Sequence, residues 1–326
     1  MNLKSKYLII ILAVIIIKIN FSINVKAKEY NRFNNISIEN GLSQATVETM
    51  MQDSKGYIWL GTNDGLDRYN GYTFKKYSYE KGQENSLVNS YILDIKEDSE
   101  GNIWVATAAG ISKIYNDGEK VQNYTSDSES GNLYNDNTTT ILISNSNKIY
   151  VGTAEGINLY DKKTDKFNLI YPELKEEYVN SLAEDKYGNI WAGTENGLYK
   201  INVVTNAIER FESTDDVNTI SENYIYKVYY DGDKHIWVGT YDNGFCKLNI
   251  ENNKVTRYLL TREDGTIRGA FVKNFLKDSK GNMWICTDEG VVLFEVDKNI
   301  FTWYENKVHD PHSLIDNNTF SILEDY

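Results

Sequence analysis

Two prolines, two cysteines and three histidines stand in a chain of 326 residues. With so little proline, neither a polyproline linker nor frequent interruption of β-strands is expected. Cys246 and Cys286 cannot build a disulfide framework, and no Cys-x-x-Cys pair offers a zinc site. Both read as free thiols packed in strands. His235 falls in a turn, and His309 and His312 form "HDPH" with no third ligand near in sequence. No nucleophile elbow, glycine-rich phosphate loop or complete calcium loop is present. No cofactor, metal or catalytic residue is therefore expected. Positive charge is also scarce. A net charge of −13 repels a phosphate backbone, which argues against nucleic acid as a partner.

Long hydrophobic runs are missing apart from one, "YLIIILAVIII" from Tyr7 to Ile17. Lys4 and Lys6 precede it, Lys18 ends it, and small residues lead to Ala27. The run is short for a bilayer. Residues 1–27 are read as a secretory signal peptide, or as an uncleaved N-terminal anchor in which Lys18 snorkels. Either way residues 28–326 are expected outside the cell. Without the leader's four lysines the net charge moves from −13 to −17. Membrane attachment would come only through this segment or through C-terminal sequence beyond the chain.

Aromatic residues, by contrast, are plentiful at 13%, with 25 tyrosines, and hydrophobic residues reach 41%, enough for a large core. The dominant feature is a repeat. "GYIWLGTNDGL", "GNIWVATAAGI" and "GNIWAGTENGL" are copies of one segment. Anchored on Trp59, Trp104, Tyr150, Trp191, Trp237 and Trp284, the copies are spaced 45, 46, 41, 46 and 47 residues apart. A period near 45 with strand-like content means propeller blades. Each copy holds four strand candidates, lettered A to D from the axis outward. Strand A carries an apolar pair three apart, as in Val47/Met50 and Ile92/Ile95. Strand B is "IWxGT", strand C follows a glycine, and strand D is amphipathic, as in Phe74/Tyr77.

The turns are chemically legible. Between A and B, "DSKGY", "DSEGN", "DKYGN" and "DSKGN" open on an Asp that bonds backbone amides and place Gly at positive φ. The third copy has Asn147 there. The fifth, "DGDKH", is expected to rearrange around Gly232. The recurrent Trp is assigned to packing between blades, and the small residue two places on lets the next sheet approach.

At the chain ends, "RFNNI" (Arg32 to Ile36) has the pattern of a strand D. "NNTFSILEDY" (Asn317 to Tyr326) has that of a strand A, with Asp325 aligned to Asp278. The expected fold is all-β: a β-propeller of four-stranded blades, seven-blade type, with six complete blades and an incomplete seventh. On this reading the chain is a fragment of a longer protein, or a ring with a strained closure.

"DSKGYIWLGTNDGLDRYNG", "DSEGNIWVATAAGISKIY" and "DKYGNIWAGTENGLYKI" resemble two-component regulator propeller repeats, over roughly residues 30 to 326. The resemblance implies an extracytoplasmic input module, exported and membrane-attached in the intact protein. Its output there is commonly a histidine kinase, sometimes a diguanylate cyclase. No kinase phospho-acceptor box and no "GGDEF" occurs here. The chain is therefore expected to sense rather than catalyse, possessing no transmitter, and to signal through the arrangement of paired subunits in a homodimer. A propeller lyase or hydrolase and an exported protein-interaction scaffold are the alternatives.

Ligand sites in radial folds sit where loops converge at the axis mouth. The D–A and B–C loops build that mouth. One ring of candidates precedes strand A: Gln44, Asn89, Asn135, Glu176, Glu222, Gly269 and Asp316. A second lies on it: Thr49, Asp94, Thr140, Ser181, Lys227, Asn274 and Ser321. Tyr91, Tyr178, Tyr224 and Phe271 stand at the mouth, with Tyr241 on a B–C loop one residue longer than the others. These residues either line a wet channel or bind a polar small molecule or glycan.

Overall fold

The computed structural model describes residues 33–127, 132–262, 264–268 and 270–325. The leader read at 1–27 lies outside them. Asn35–Tyr326 forms one compact unit. It contains six four-stranded antiparallel sheets, each with its strands in chain order. Blade one comprises Val47–Gln52 (A), Ile58–Thr62 (B), Gly65–Tyr69 (C) and Phe74–Tyr77 (D). The A strands of blades two to six are Ile92–Glu97, Thr138–Ile143, Val179–Glu184, Ile225–Tyr230 and Val272–Lys277. Their B strands are Ile103–Thr107, Ile149–Thr153, Ile190–Thr194, His235–Thr240 and Met283–Thr287. A two-stranded ribbon, Leu260–Thr261 with Ile267–Arg268, decorates the connection from blade five to blade six. No helix among the described residues is long and apolar enough to cross a membrane.

The A–B turn and the Trp form one unit. Asp98 Oδ1 accepts the amides of Glu100 and Asn102, and its Oδ2 accepts Trp104 Nε1 at 2.8 Å. Asp53/Trp59, Asp185/Trp191 and Asp278/Trp284 repeat this at 2.7, 2.9 and 3.0 Å. In blade three, Asn147 takes positive φ (57°), as expected. In blade five, Gly232 has φ 80° and Asp231 Oδ2 faces His235 Nδ1 at 3.0 Å instead of the indole. Trp237 Nε1 is left buried without a hydrogen-bond partner.

The anchoring aromatics of blades one to five each pack against the following blade. Trp59 joins Ile92, Ile95, Ile103 and Val105 of blade two, and Trp191 joins Ile225, Val228, Ile236 and Val238 of blade five. The small residue of strand B is required by this approach. A Cβ on Gly61 would lie 2.6 Å from Ile92 Cγ2, and one on Gly193 2.6 Å from Ile225 Cγ2. Both cysteines are buried free thiols.

Every strand A carries a β-bulge at one place. The register slips between Val47 and Thr49, Ile92 and Asp94, Thr138 and Thr140, Val179 and Ser181, Ile225 and Lys227, and Val272 and Asn274. The slip allows apolar residues three apart, such as Ile225 and Val228, to reach one core cluster, which a regular strand forbids.

Six blades are complete. Residues 33–37 and 317–325, expected as strands D and A of a seventh, carry no strand assignment. With no described B strand beside 317–325, that segment has no ladder to join. It nevertheless bridges blades six and one. Thr319 exchanges hydrogen bonds with Thr287 N and O, Ser279 binds the Glu324 carboxylate, Ser321 Oγ accepts Met50 N at 3.1 Å, and Gln52 Nε2 donates to Asp325.

Candidate functional site

The six A strands bring their second-ring residues to one level. Thr49, Asp94, Thr140, Ser181, Lys227 and Asn274 each pair with the small residue of their own strand B. Several work as staples. Asp94 Oδ2 accepts Ile141 N of blade three at 2.8 Å, and Ser181 Oγ accepts Val228 N of blade five at 3.1 Å. Asn274 Oδ1 accepts the adjacent Phe275 N. Much of this polarity therefore serves the frame.

The first ring mostly shapes its own loops. The Gln44, Asn89 and Asn135 side-chain oxygens accept amides two residues on, at Thr46, Tyr91 and Asn137. Glu222 receives the Asp242 and Asn243 amides and so pins the long B–C loop. Glu176 faces Lys175 at the exposed rim.

The aromatic candidates do converge. Tyr224 and Tyr241 have ring centroids 5.2 Å apart, and Tyr241 and Phe271 4.8 Å apart. Tyr226, absent from the sequence reading, stands edge-on to Phe271 at 4.5 Å. Burial pushes the Tyr226 hydroxyl up to about 12, and the nearby Glu48, Tyr91, Tyr224 and Tyr178 add to the effect. Groups from blades one, two, four and five thus face one another across the mouth. Burial likewise raises Tyr224 to about 12, with Glu195 contributing through charge and a hydrogen bond. Tyr91 and Tyr241 remain 40% and 53% exposed, so ring surface is open to a visitor.

Glu48, Tyr226 and Lys273 are the bulge residues of blades one, five and six. Burial raises the Glu48 carboxyl, against the opposing influence of Lys273 and Asn63. Lys273 Nζ lies 3.8 Å from the Phe320 ring centroid and bonds Asn318 Oδ1. The signal that locates these residues is the apolar pair three apart: it demands a bulge, and the bulge turns the next residue toward the axis.

Histidine is not part of this cluster. His235, expected in a turn, instead opens strand B of blade five beside the A–B turn, at the opposite end of its blade, and His309 and His312 are exposed in the 305–317 loop.

The two-component regulator propeller model matches residues 41–64, 86–109, 173–196 and 219–242. These are the A and B strands of blades one, two, four and five, with the loops before them. Over 67 residues the chain is 37% identical to histidine kinase P4 of Formosa agariphila, covering 20% of this chain and 5% of that protein. An extracellular domain assigned to a hybrid two-component system of B. thetaiotaomicron superposes with a TM-score of 0.76 at 20% identity, covering 90% of this chain and 39% of that one. PorZ of Porphyromonas gingivalis, a surface component of its type-IX secretion system, gives 0.66 at 15% identity over 88% of this chain and 44% of PorZ. A streptogramin B lyase gives 0.62 at 12% identity over 82% of this chain and 85% of the lyase. At these identities the structures share the fold. The chain spans less than half of the first two structures, and a small part of the kinase. Its four matched segments hold the inner strands, the turn aspartates and the packing tryptophans, and the chain carries two-component regulator propeller repeats.

Proposed function

We propose that the chain is an exported, non-catalytic sensing propeller whose mouth binds a polar small molecule or glycan. The convergence of Tyr91, Tyr178, Tyr224, Tyr226, Tyr241 and Phe271 around Glu48 carries the reading. Aromatic faces offer stacking surface for sugar rings, and carboxylates and phenols offer hydrogen bonds to hydroxyls. The leader sequence and the extracellular neighbour support export. The transmitter is proposed to lie outside this chain, reached through a change in pairing between two copies. A ligand can drive that change only by binding one arrangement more tightly than the other.

The 317–325 segment is proposed as the innermost strand of a seventh blade. It makes the hydrogen bonds that strand A of blade three makes to blade two. Thr319 meets Thr287 and Gly290 as Thr138 meets Thr107 and Gly110. Trp284, the aromatic that would face this blade, is only half-buried, whereas Trp104 and Trp191 are fully buried.

The test is calorimetric titration of the purified chain with a panel of neutral and acidic oligosaccharides, beside Tyr241→Ala and Tyr91→Ala. The reading expects saturable binding to at least one, weakened about 10-fold or more by either substitution. Absence of any saccharide binding, or binding indifferent to both substitutions, overturns it.

A further inference from the structure

We infer that the loop joining blades one and two is a site for a guanidinium group, borne by free arginine or by an arginine side chain of a peptide. Strand D carries the first observation; it is Val121–Tyr124 in blade two, Val255–Tyr258 in blade five and Ile300–Tyr304 in blade six. The last residue but one of each strand reaches into the D–A loop that precedes its blade. Asn123 Nδ2 donates to Ser86 O at 3.0 Å, Arg257 Nε to Thr219 O at 2.7 Å, and Trp303 Nε1 to Thr261 O at 2.9 Å. In the loop before blade five the guanidinium of Arg257 is the plug. Its Nη2 lies 2.8, 2.9 and 3.2 Å from the carbonyl oxygens of Asp216, Ile220 and Thr214.

The loop before blade two is built alike but lacks such a plug. Ser86 Oγ donates to Gln83 O, three residues back, as Thr219 Oγ1 donates to Asp216 O, and the buried Leu87 and Ile220 follow. Ser86, Gln83 and Leu87 thus stand where Thr219, Asp216 and Ile220 stand. Asn123 is too short to carry its amide past Ser86 O, and its Oδ1 accepts Ser112 Oγ at 2.7 Å. A cleft of about 540 Å³, lined by Gln83, Ser86 and Leu87 among others, remains open to solvent. Its lining charges are the carboxylates of Glu80 and Glu84 against the one ammonium of Lys76, which favours a cation. A carbonyl oxygen keeps a second lone pair after taking a hydroxyl, and a guanidinium presents its N–H donors in a fixed planar fork, which an ammonium does not. The cleft shares no lining residue with the aromatic mouth, and the inference does not rest on the proposed function.

The experiment titrates the purified, isotope-labelled full chain with free arginine, acetyl-Gly-Arg-Gly-amide and acetyl-Gly-Lys-Gly-amide at constant ionic strength, and follows amide shifts by NMR. The guanidinium probes are expected to move the amides of residues 80–87 saturably, with the lysine peptide bound about 10-fold or more weakly. Tighter binding of the arginine peptide than of free arginine identifies a peptide side chain as the source; equal or weaker binding identifies the small molecule. In Asn123→Arg the chain's own guanidinium should fill the cleft, so the unliganded variant should already show these shifts and bind no probe. Glu80→Gln combined with Glu84→Gln, at two exposed positions, should weaken the guanidinium probes several-fold, and decides the matter if Asn123→Arg does not fold. No shift at 80–87 with either guanidinium probe, equal binding of the lysine peptide, or undiminished binding in a folded Asn123→Arg or in the double variant overturns the inference.

Discussion

Trp104 donates its indole N–H to Asp98 Oδ2 at 2.8 Å across the A–B turn of blade two. The same carboxylate gathers two turn amides and the Asn102 side chain, so one residue sets the turn and orients the tryptophan that packs against blade three. Blade three confirms the pairing by lacking both members. It has Ser144 where the Asp stands and Tyr150 where the Trp stands, and Ser144 Oγ accepts the Lys148 amide and shares a hydrogen bond with Ser146 Oγ. Asp98→Ala would strand a buried indole N–H and two turn amides. The expected loss is about 2–4 kcal/mol, read by urea or thermal unfolding.

Acid should undo this set of bonds first. Burial alone would raise the Asp98 carboxyl, but hydrogen bonds from Asn102, Trp104 and the turn amides outweigh it and hold the pKa below the ordinary value. Asp278 behaves in the same way, with Trp284 and Asn282 as donors. A depressed folded pKa gives stability that is present above the unfolded pKa, about 3.9, and is lost as pH falls through the folded one. Stability should therefore be insensitive to these groups between pH 7 and 5 and fall steeply below about pH 4. Asp98→Asn should be less stable at pH 7 and show a shallower acid limb in melts from pH 7 to 3.

Blade five supplies the reverse experiment. His235 occupies Asp231 Oδ2, and the Trp237 indole is orphaned. Blades two, four and six place Asn at the matching turn position: Asn102, Asn189 and Asn282. His235→Asn should return the Asp231–Trp237 bond and raise stability by about 1 kcal/mol, or about 2–4 °C in Tm. The restored indole bond should also slow exchange of the Trp237 Nε1 proton in NMR.

The blade architecture was legible because the repeat couples several constraints in a few residues. Trp, a small residue and Thr fall at fixed places on strand B, and Gly starts strand C. The Thr is structural in its own right: Thr107 Oγ1 donates to Gly110 O at 2.8 Å and closes the B–C turn. The polar second ring was legible too, since an axis needs hydrophilic lining. The mouth was read only in part. Tyr91, Tyr178, Tyr224 and Tyr241 were found by position, whereas Glu48, Tyr226 and Lys273 were missed. Strict alternation directs a residue next to Val47, Ile225 or Val272 away from the axis, and the bulge cancels that rule. The bulge residues Glu48, Leu93, Thr139, Asn180, Tyr226 and Lys273 share no side-chain type, so composition at that position gave no warning. The rearranged fifth turn was anticipated from "DGDKH", but its consequence for Trp237 needed coordinates.

The last prediction concerns the join between blades six and one. Thr319 Oγ1 accepts Thr287 N at 3.1 Å and donates to Thr287 O at 2.9 Å, while Ser321 Oγ accepts Met50 N at 3.1 Å. These bonds engage inner-strand groups on both sides of the join, which would otherwise present free strand edges to other molecules. Thr319→Val keeps the shape and removes the hydroxyl's bonds to Thr287 and Gly290, leaving the Thr287 amide without its acceptor. A loss of about 1–3 kcal/mol is expected, with faster amide hydrogen exchange in Val272–Lys277 and Met283–Thr287 and little change in blades two to four. Thr138→Val, the matching change between blades two and three, should cost as much globally but leave exchange at the join unchanged. If Thr319→Val altered neither stability nor exchange in blade six, the 317–325 segment would not be holding the join.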